Sequence, residues 1–459
     1  MTHQFNATIL REYDIRGIVG DTLTEADAYA LGRSYAALAR EEAARRIAVG
    51  RDGRTHSGML EAALIRGLTE GGVDVVQIGM GPSPMLYFAT YFLDVDGGIQ
   101  VTGSHNPANY NGFKLLLKGR SVFGQEIQAL GRRSASGHWS EGHGTTEEVD
   151  VREAYVNRLL EGFSGKAYRI GWDAGNGAAG PILDMLVDRL PGQHHVIFSQ
   201  VDGTFPNHHP DPTVEKNLAD LKALVEREQL DFGIAFDGDG DRIGAVDGNG
   251  RVIWGDQLLM ILAVPVLQDV PGATLIADVK ASQSFFDRVA ELGGQPLMWK
   301  TGHSLIKSKM KETGAPLAGE MSGHIFFKHR WYGFDDALYA AVRLIEAVSA
   351  SGKSLTEIMD GMPKTMATPE LRFQVDESRK FAIVDEVRDR LSASGDQVNA
   401  TDGVRVSTGD GWWLLRASNT QDVLVARAEA ADQAGLDRLV AQIDEQLAKS
   451  GVERVEATH

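Results

Sequence analysis

The sequence predicts an α/β protein with mixed or mainly parallel sheets, followed by a smaller α+β domain at its C-terminal end. Its 459 residues are enough for about three or four domains. Apolar runs typical of strands alternate with helical patterns through most of the chain, an order typical of parallel sheets covered by helices on both faces. After Pro369 the pattern changes to several strands and one amphipathic helix, and this change predicts the α+β domain.

Local signals justify each element in chain order. Thr24-Glu25-Ala26-Asp27 has the form of a capping box and opens a helix that extends to about residue 45. Apolar runs predict strands at residues 47–49, 73–78, 98–101, 168–172, 232–236, 274–278, 296–299, 316–319, 372–375, 403–406, 413–416 and 423–428. Helical patterns occupy residues 59–70, 84 onward, 151–162, 182–190, 217–228, 257–264, 284–292 and 432–449. Asp256 is expected to cap the helix that begins at Gln257.

Composition and charge exclude several classes of protein. The net charge is −17, and such a surface repels nucleic acid and anionic membranes, whose binding needs a basic patch. The chain has no cysteine, which removes disulfides and thiolate chemistry and fits a reducing compartment. Residues 1–6 lack the features of a signal peptide, and the longest apolar run, 258–267, contains Pro265. We therefore expect a cytoplasmic protein without a membrane segment.

Residues 237–242 (DGDGDR) are the strongest chemical signal in the chain. Three carboxylates separated by glycine can fold back toward one centre, and their mutual repulsion favours a hard cation between them. An EF-hand does not fit, because Arg242 and Gly248 stand where that loop needs Gly and Glu. The pattern predicts a Mg²⁺ site with open positions for a phosphate oxygen, and a solvated acidic turn is the alternative. Arg242 is placed to hold another phosphate oxygen.

Three further loops carry polar groups at or near the ends of predicted strands. Ser104 lies in the turn 102–107 (TGSHNP), where a serine can carry a covalent intermediate, although the segment alone also fits an ordinary turn. Residues 319–324 (GEMSGH) offer side chains that can hydrogen-bond sugar hydroxyls. Residues 416–420 (RASNT) offer an arginine, hydroxyls and backbone donors typical of an anion site, with a plain β-turn as the alternative.

Residues 175–180 (GNGAAG) follow a strand and precede a helix, so a dinucleotide site must be considered. The acid that would bind the ribose should come about 20 residues later, and Asp202 falls somewhat late. Close packing of the helix on the strand is the interpretation we favour. A dinucleotide-dependent oxidoreductase is the alternative from another class of enzyme.

Several motifs together resemble the α-D-phosphohexomutase superfamily, in particular its bacterial phosphomannomutase/phosphoglucomutase family, and the likeness covers essentially the whole chain. They are residues 12–17 (EYDIRG), 102–107 (TGSHNP), 205–212 (FPNHHPDP), 237–242 (DGDGDR), 300–304 (KTGHS), 319–324 (GEMSGH) and 416–420 (RASNT). The resemblance implies three similar α/β domains around a central cleft and a smaller fourth domain that closes over it. The domains are expected at residues 1–148, 149–254, 255–367 and 368–459, carrying in turn the phosphoserine, metal, sugar-recognition and phosphate-binding loops.

The resemblance also implies roles for individual residues. Ser104 would be the phosphoserine that gives and takes the phosphoryl group, and one of its phosphate oxygens would complete the Mg²⁺ site. The protein ligands of the metal would be Asp237, Asp239 and Asp241. Glu320 and Ser322 would hold the sugar O3 and O4. The phosphate that is not reacting would be bound by Arg416, Ser418, Asn419 and Thr420. Other residues expected in the cleft are Tyr13, Arg16, Lys114, Arg242, Lys280, His303 and His324.

Lys114 and His324 are the candidates for proton transfer. One departure from the family pattern is Gln421-Asp422, where the family often has proline at the second position after Thr420. An added carboxylate beside a phosphate loop would weaken phosphate binding.

The activity implied by the resemblance is reversible interconversion of hexose 1-phosphate and hexose 6-phosphate, with mannose or glucose as the sugar. It would run through a phosphoserine enzyme and a sugar 1,6-bisphosphate, which also acts as activator, in a monomer. Gripping O3, O4 and a distal phosphate leaves the site nearly blind to C2, where the two sugars differ. The alternatives are a phosphoglucosamine mutase, the oxidoreductase above and a non-catalytic sugar-phosphate-binding protein.

Overall fold

The computed structural model describes residues 2–395, 397–419 and 422–453. Within these residues the strands form four β-sheets that follow one another along the chain. The capping box predicted at Thr24 is present, because its hydroxyl accepts from Asp27 N while the Asp27 carboxylate accepts from Thr24 N. Among the described residues, none of the helices combines the length and hydropathy that a bilayer-spanning segment needs.

The first sheet contains seven strands, in the order β1-β5-β4-β2-β3-β7 with β6 beside β5. Their bounds are β1 Ile15–Ile18, β2 Arg46–Arg51, β3 Asp74–Met80, β4 Gly97–Val101, β5 Tyr110–Leu117, β6 Arg120–Ser121 and β7 Thr146–Glu148. Its helices are α1 Glu25–Glu41, α2 Ser57–Glu70, α3 Ser83–Phe92 and α4 Gln125–Ser136. Strand β2 is parallel to β3 and β4, and β5 returns antiparallel to β4.

The second sheet has the order β12-β11-β10-β8-β9. Its strands are β8 Tyr168–Asp173, β9 Gly192–Ile197, β10 Phe232–Phe236, β11 Ile243–Asp247 and β12 Val252–Ile253. The helices of this part are α5 Arg152–Leu159, α6 Gly180–Val187 and α7 Ala219–Glu228. Strand β8 is parallel to both β9 and β10, whereas β11 is antiparallel to β10.

The third sheet has the order β14-β13-β15-β16-β17. Its strands are β13 Thr274–Asp278, β14 Gln295–Trp299, β15 Leu317–Gly319, β16 Ile325–Phe327 and β17 Phe334–Asp335. The helices are α8 Gly255–Asp269, α9 Gln283–Glu291, α10 His303–Thr313, α11 Ala337–Ser351 and α12 Leu355–Asp360. Again β13 is parallel to its two neighbours and β16 is antiparallel to β15.

These three sheets share one arrangement, which decides where the chemistry lies. In each sheet three neighbouring strands are parallel, and the strand next to them is antiparallel. The orders are β3-β2-β4-β5, β9-β8-β10-β11 and β14-β13-β15-β16. The connection to that antiparallel strand is residues 102–109 in the first sheet, 237–242 in the second and 320–324 in the third. The three loops predicted to carry chemistry therefore occupy equivalent positions at the carboxyl ends of parallel strands, where α/β proteins bind ligands.

The last sheet is antiparallel throughout. Its strands are β18 Met366–Ala367, β19 Leu371–Gln374, β20 Gln397–Asn399, β21 Val404–Ser407, β22 Gly411–Ala417 and β23 Val423–Ala430, and its helices are α13 Lys380–Ser394 and α14 Gln433–Ala448. An antiparallel sheet with helices is the α+β architecture predicted for this part of the chain, but only one helix was predicted here and α13 was missed.

The largest apolar core continues across the first three sheets. Phe88 of α3 lies 5.4 Å from Tyr155 of α5, and Tyr87 lies 5.4 Å from Phe334 of β17, measured between ring centroids. Separate clusters fill the interior of the first sheet and of the C-terminal sheet. Because burial of a large apolar side chain contributes about 1.5 to 3 kcal/mol, the shared core holds the three loop-bearing sheets against one another.

The cap predicted for helix α8 is wrong. Helix α8 begins at Gly255, so Asp256 lies in its first turn and does not cap it; Trp254 occupies the cap position. The helix also continues through Pro265 to Asp269. The Asp256 carboxylate instead accepts from the backbone N–H of Ser282 at 2.8 Å, which ties the start of α8 to the start of α9.

Candidate active site

A cleft of about 1130 Å³ lies where the three equivalent loops meet the loop that follows β22. All four sheets contribute to its walls. The predicted site residues that line it are Tyr13, Arg16, Ser104, Lys114, Arg242, Lys280, His303, Glu320, Ser322, His324, Arg416, Ser418 and Asn419. Thr420 and Gln421 lie outside the described residues.

Ser104 sits at the tip of the first loop in a strained conformation. Its φ of +48° lies in the left-handed region, which a non-glycine residue adopts only where its surroundings enforce it. The Ser104 N–H donates to Thr102 Oγ1 at 2.9 Å. The Ser104 hydroxyl donates to Asp237 Oδ2 at 3.2 Å and lies 3.1 Å from His105 Nδ1. Desolvation and the neighbouring Arg242 hold the pKa of His105 well below its ordinary value, so the imidazole is neutral.

Arg54 holds this loop from behind, a role that sequence reasoning missed. Its guanidinium donates to the backbone carbonyls of Ser104 at 2.7 Å and Asn106 at 2.6 Å, and also to those of Pro107 and Tyr110. Gly103 makes this approach possible, because a Cβ there would lie 2.4 Å from Arg54 Nε. A buried arginine aimed at four carbonyls fixes the loop through its planar set of donors.

Asp52 completes this support. Its carboxylate accepts from Thr102 Oγ1 at 2.9 Å, from Gly103 N at 3.0 Å and from Arg54 N at 3.0 Å. Asp52 and Arg54 belong to the loop after β2, the strand adjacent to β4. The only sequence signal for them was their position at the end of a parallel strand.

The second loop gathers the three predicted carboxylates. Ligand oxygens of Asp237, Asp239 and Asp241 lie within 4.8 Å of one another, and all three side chains are buried. Backbone N–H groups of Asp241 and Arg242 donate to Asp237 Oδ1 at 3.1 Å, which orients that carboxylate. Asp239 Oδ1 and Asp241 Oδ1 have no hydrogen-bond partner among the described residues.

This donor set fits a hard divalent cation. Burial, followed by the charges of Asp239 and Asp241, raises the pKa of Asp237 well above its ordinary value, and a cation between the three carboxylates would relieve that repulsion. Carboxylate oxygens are the ligands that Mg²⁺ prefers, and the two orphaned oxygens are available to it. A second group of Asp241, His324 and Asp335 also lies within ligand distance; it shares Asp241 with the first group, and Lys307 Nζ lies 3.0 Å from Asp335 Oδ1.

Lys114 projects from β5 to the carboxylates of the second loop. Its ammonium lies 2.6 Å from Asp239 Oδ2 and also binds Asp241 Oδ2. Burial alone would lower the pKa of Lys114, but these two carboxylates hold it well above its ordinary value. Ser83, at the start of α3, also donates to Asp239. Lys114 is therefore a cation in this arrangement and has no free electron pair to accept a proton.

His324 lies between the second and third loops. Arg242 Nε donates to His324 Nε2 at 3.0 Å, and His324 Nδ1 lies 3.0 Å from Asp335 Oδ2. The backbones of the two loops are also joined, since Ile243 N donates to Gly323 O at 3.0 Å. Asp335, whose carboxylate lies beside the imidazole, was not predicted; it comes from β17, two strands beyond the loop.

The other predicted residues of the third loop form a compact turn. Glu320 Oε1 accepts from Gly302 N at 2.9 Å and Glu320 Oε2 accepts from Ser322 Oγ at 3.0 Å. His303 stacks on His324 with 5.8 Å between ring centroids. Desolvation, reinforced by the Lys307 charge, holds the pKa of His303 well below its ordinary value, so it too is neutral.

The C-terminal loop reaches the cleft from the opposite side. Asn419 Nδ2 donates to the Tyr13 hydroxyl at 2.6 Å, and that hydroxyl donates to Thr301 O at 2.8 Å. Tyr13 thus links the first sheet to the third and the fourth. Burial raises the pKa of Tyr13 far above its ordinary value, which keeps the hydroxyl protonated as a donor.

Two cations reach the edges of the cleft. Arg16 donates to Asn106 Oδ1 at 2.6 Å and also binds Asp14, so it spans from β1 to the Ser104 loop. Lys280 Nζ lies 2.8 Å from Glu370 Oε1. Burial would lower the pKa of Lys280, but Glu370 raises it, so this ammonium is charged.

The glycine-rich loop 175–180 is packed against protein. The N–H groups of Asn176, Gly177 and Ala178 donate to backbone carbonyls. A Cβ at Gly180 would lie 1.9 Å from Ser199 O. These donors are therefore committed, and the loop offers no cradle for a pyrophosphate, which favours the packing interpretation.

Family models match almost the whole chain in the same four parts. They describe phosphoglucomutase/phosphomannomutase α/β/α domains I, II and III at residues 7–138, 153–250 and 254–366, and the C-terminal domain at residues 370–446. The chain belongs to the phosphoglucomutase/phosphomannomutase family. This family lies within the α-D-phosphohexomutase superfamily, so the predicted family and the predicted fold of three α/β domains plus a C-terminal domain are confirmed.

Individual family members are similar over nearly their full length. The phosphomannomutase/phosphoglucomutase of Pseudomonas aeruginosa is 45% identical, with 94% of each chain covered. The phosphoglucomutase of Neisseria meningitidis serogroup A is 44% identical over 94% of this chain and 95% of that one. The crystal structure of a phosphoglucomutase/phosphomannomutase family protein from Burkholderia thailandensis superimposes with a TM-score of 0.92 at 42% identity, covering 98% of this chain and 99% of that one.

Proposed function

We propose that this chain is a hexose phosphate mutase that reversibly interconverts hexose 1-phosphate and hexose 6-phosphate of mannose, glucose or both. The observation that carries the proposal is the position of Ser104. Its hydroxyl lies at the mouth of a three-carboxylate group, 3.2 Å from Asp237 Oδ2, inside a cleft lined with arginines and lysines. Phosphoryl transfer depends mostly on positioning and charge neutralisation, and this arrangement can provide both.

Phosphorylated Ser104 is the proposed group donor. The bond between phosphorus and Ser104 Oγ breaks, a bond forms between phosphorus and the free sugar hydroxyl, the hydroxyl proton passes to a base, and an acid supplies a proton to the departing Ser104 Oγ. The resulting sugar 1,6-bisphosphate turns over in the cleft, and its other phosphate returns to Ser104 Oγ with the proton moving in reverse. The same sugar bisphosphate would act as activator by phosphorylating Ser104 of an unmodified enzyme.

Asp237, Asp239 and Asp241 are the proposed protein ligands of Mg²⁺. When bound, the ion would supply positive charge against the oxygens of the transferring phosphoryl group. Arg16, Lys114 and Arg242 would neutralise the remaining negative charge, because the phosphoserine alone carries about −1.5 to −2 charges.

His324 is the proposed base and Lys114 a proposed acid or electrostatic partner. The imidazole of His324 has one nitrogen toward Asp335 and the other toward Arg242 Nε. With the proton on Nδ1, the Nε2 atom is the acceptor, and a sugar hydroxyl that replaces Arg242 there could transfer its proton. Lys114 is held protonated by Asp239 and Asp241, which rules out abstraction and makes it a weak proton donor, so its proposed contribution is mainly electrostatic.

The sugar and the distal phosphate would be held by groups that tolerate both orientations. Glu320 and Ser322 would bind O3 and O4. Tyr13, Lys280, His303, Arg416, Ser418, Asn419 and Thr420 are the proposed contacts to the rest of the substrate. This scheme places no group against C2, and on that basis we propose activity on both mannose and glucose.

The remaining expectations stand as part of the proposal. The chain would act as a monomer in the cytoplasm, with domains at residues 1–148, 149–254, 255–367 and 368–459, and phosphosugars would be its only partners.

The experiment that tests the proposal compares three substrates. We expect similar kcat/KM values for mannose 1-phosphate and glucose 1-phosphate and a much lower value for glucosamine 6-phosphate. Preference for glucosamine 6-phosphate would reassign the enzyme as a phosphoglucosamine mutase, and inactivity on all three would leave a binding protein. Titration with NADH and NADPH should give no saturable binding, in contrast to an oxidoreductase.

A further inference from the structure

Asp402 lies in the turn between β20 and β21 and holds two partners with one carboxylate oxygen. Its Oδ2 accepts from Arg416 Nε at 3.0 Å and from the backbone N–H of Thr301, also at 3.0 Å. Arg416 lies near the end of β22 and lines the cleft, whereas Asp402 stands behind it and is not part of the cleft wall. Thr301 belongs to the third sheet, in the loop between β14 and α10.

The backbone around Asp402 is built for this contact. Gly403 has a φ of +84°, and a Cβ there would lie 2.4 Å from Leu415 O and 2.6 Å from Arg416 Cβ. The turn therefore rests directly on the strand that carries Arg416, and only glycine permits the approach. This packing fixes the carboxylate of the preceding residue relative to the guanidinium.

Arg416 and Asp402 form a largely buried ion pair. The side chain of Arg416 is 7% exposed and that of Asp402 is 15% exposed. Burial alone would lower the pKa of Arg416, and the Asp402 carboxylate raises it above its ordinary value. Because a guanidinium is planar, a carboxylate bound to Nε also fixes the direction in which the other N–H groups point.

We propose that Asp402 is a positioning residue for the phosphate that is not transferred. Asp402 orients the Arg416 guanidinium toward the cleft. Because the same carboxylate oxygen accepts from the Thr301 N–H, this orientation depends on contact between the C-terminal sheet and the third sheet. The inference rests on the proposed mutase function, in which Arg416 touches the distal phosphate. Asp402 does not touch the substrate, so its whole effect on binding passes through Arg416.

The test uses Asp402→Ala and Asp402→Asn in the full-length enzyme, with mannose 1-phosphate as substrate and inorganic phosphate as a competing ligand. We expect Asp402→Ala to raise KM and the inhibition constant of phosphate by about 10- to 100-fold, the effect of losing a hydrogen bond to a charged group, with a much smaller change in kcat. Asp402→Asn keeps an acceptor oxygen and loses the charge, so it should lie between Asp402→Ala and wild type. The phosphoserine content, measured by intact mass, should equal that of wild type.

The matched control is Asp410→Asn. Asp410 is another aspartate in a turn of the C-terminal sheet. Its carboxylate accepts from Arg438 Nε at 2.9 Å, and the Arg438 side chain is exposed to solvent. This variant should retain wild-type KM and kcat. Thermal unfolding of all variants separates loss of folded protein from loss of affinity.

A double-mutant cycle tests whether Asp402 acts through Arg416. In the Arg416→Ala background, Asp402→Ala should change KM no further. Independent effects of the two substitutions, or a wild-type KM and phosphate inhibition constant in folded Asp402→Ala, would overturn the inference. Should Asp402→Ala fail to fold, the same comparison applies to Asp402→Asn. Absence of mutase activity in the wild-type enzyme would instead contradict the proposed function.

Discussion

Ser104 and Asp237 are 133 residues apart in the chain, yet the Ser104 hydroxyl donates to Asp237 Oδ2 at 3.2 Å. The serine lies after β4 of the first sheet and the aspartate after β10 of the second. A Cβ at Gly238 would lie 2.5 Å from Ser104 O, so the two loops touch through their backbones as well. The proposed phosphoryl carrier and the proposed metal loop are therefore positioned by one interface, and changes on either side should affect both.

Ser104→Ala should abolish the phosphoenzyme, because it removes the hydroxyl that is proposed to carry the phosphoryl group. Intact mass after incubation with a hexose 1,6-bisphosphate should show one added phosphoryl group in wild type and none in the variant, and kcat should fall by several orders of magnitude. Ser136→Ala, at an exposed position, is the control. A phosphorylated, active Ser104→Ala enzyme would exclude the proposed mechanism.

Lys114→Met should make the fold depend on Mg²⁺. Removing the ammonium leaves Asp239 and Asp241 without their counter-charge, and breaking a buried ion pair typically costs about 3 to 5 kcal/mol. We expect a large fall in Tm in EDTA and a larger recovery with Mg²⁺ than in wild type, since a bound ion replaces the lost charge. Lys118→Met removes an exposed pair with Asp96 and should behave like wild type; an equal Mg²⁺ response in both variants would contradict the metal assignment.

Arg54→Lys should release the Ser104 loop. Lysine cannot reproduce the planar set of donors that binds the carbonyls of Ser104, Asn106, Pro107 and Tyr110. We expect a loss of about 2 to 4 kcal/mol in the free energy of unfolding and slower phosphorylation of Ser104 in the folded fraction, measured by rapid quench. The exposed Arg66→Lys is the control, and unchanged phosphorylation kinetics in Arg54→Lys would show that the loop holds its shape without this support.

Glu370→Gln should change how the free energy of unfolding depends on pH in the acid range, because Glu370 joins the fourth sheet to the third. The Lys280 ammonium holds the pKa of Glu370 at about 2, below its ordinary value. A lowered pKa in the folded state stabilises the protein above the pKa of the unfolded chain, and this stability is lost as the pH falls toward the folded value. Wild type should exceed the variant by about 1 to 3 kcal/mol at neutral pH, and the difference should shrink from about pH 5 toward pH 2. Urea unfolding at several pH values measures it.

Glu312→Gln, at an exposed helix position, should show no such pH dependence. A wild-type advantage that persists unchanged at pH 3 would mean that Glu370 stabilises the protein by packing and not by its charge.

The sequence predicts the parts of this protein that depend on local signals. Strands β10 and β13 occur at the predicted residues, because both are short apolar runs bounded by polar loops. Strand β9 was missed, since its exposed and half-buried GQHHVI segment has neither an apolar run nor an alternating pattern. The glycine loop 175–180 shows the limit of a short motif, because its backbone donors can be assigned only when the neighbouring carbonyls are known.

The site was predictable only through the combination of motifs, and its supporting residues had at most a weak signal, their position at the end of a predicted strand. Ser104, alone in its turn, is indistinguishable from a structural serine. Arg54 contacts the carbonyl of Ser104, 50 residues away, and Asp402 contacts Arg416, 14 residues away. Asp335 reaches His324 from β17. No local sequence pattern encodes these contacts. Their discovery required the three-dimensional arrangement of β2, β17 and the turn before β21.

Because groups from all four sheets line the cleft, cutting the chain into fragments should separate them. Each of the four sheets contributes one part of the proposed reaction centre, so no fragment that contains a single sheet would hold the complete set of proposed groups. A cut between any two sheets separates at least one of four groups from the others, whether or not the pieces fold. The groups are Ser104, the three carboxylates, residues 319–324 and residues 416–420. Activity regained on mixing such fragments would therefore measure reassembly directly, with no background from the separate pieces.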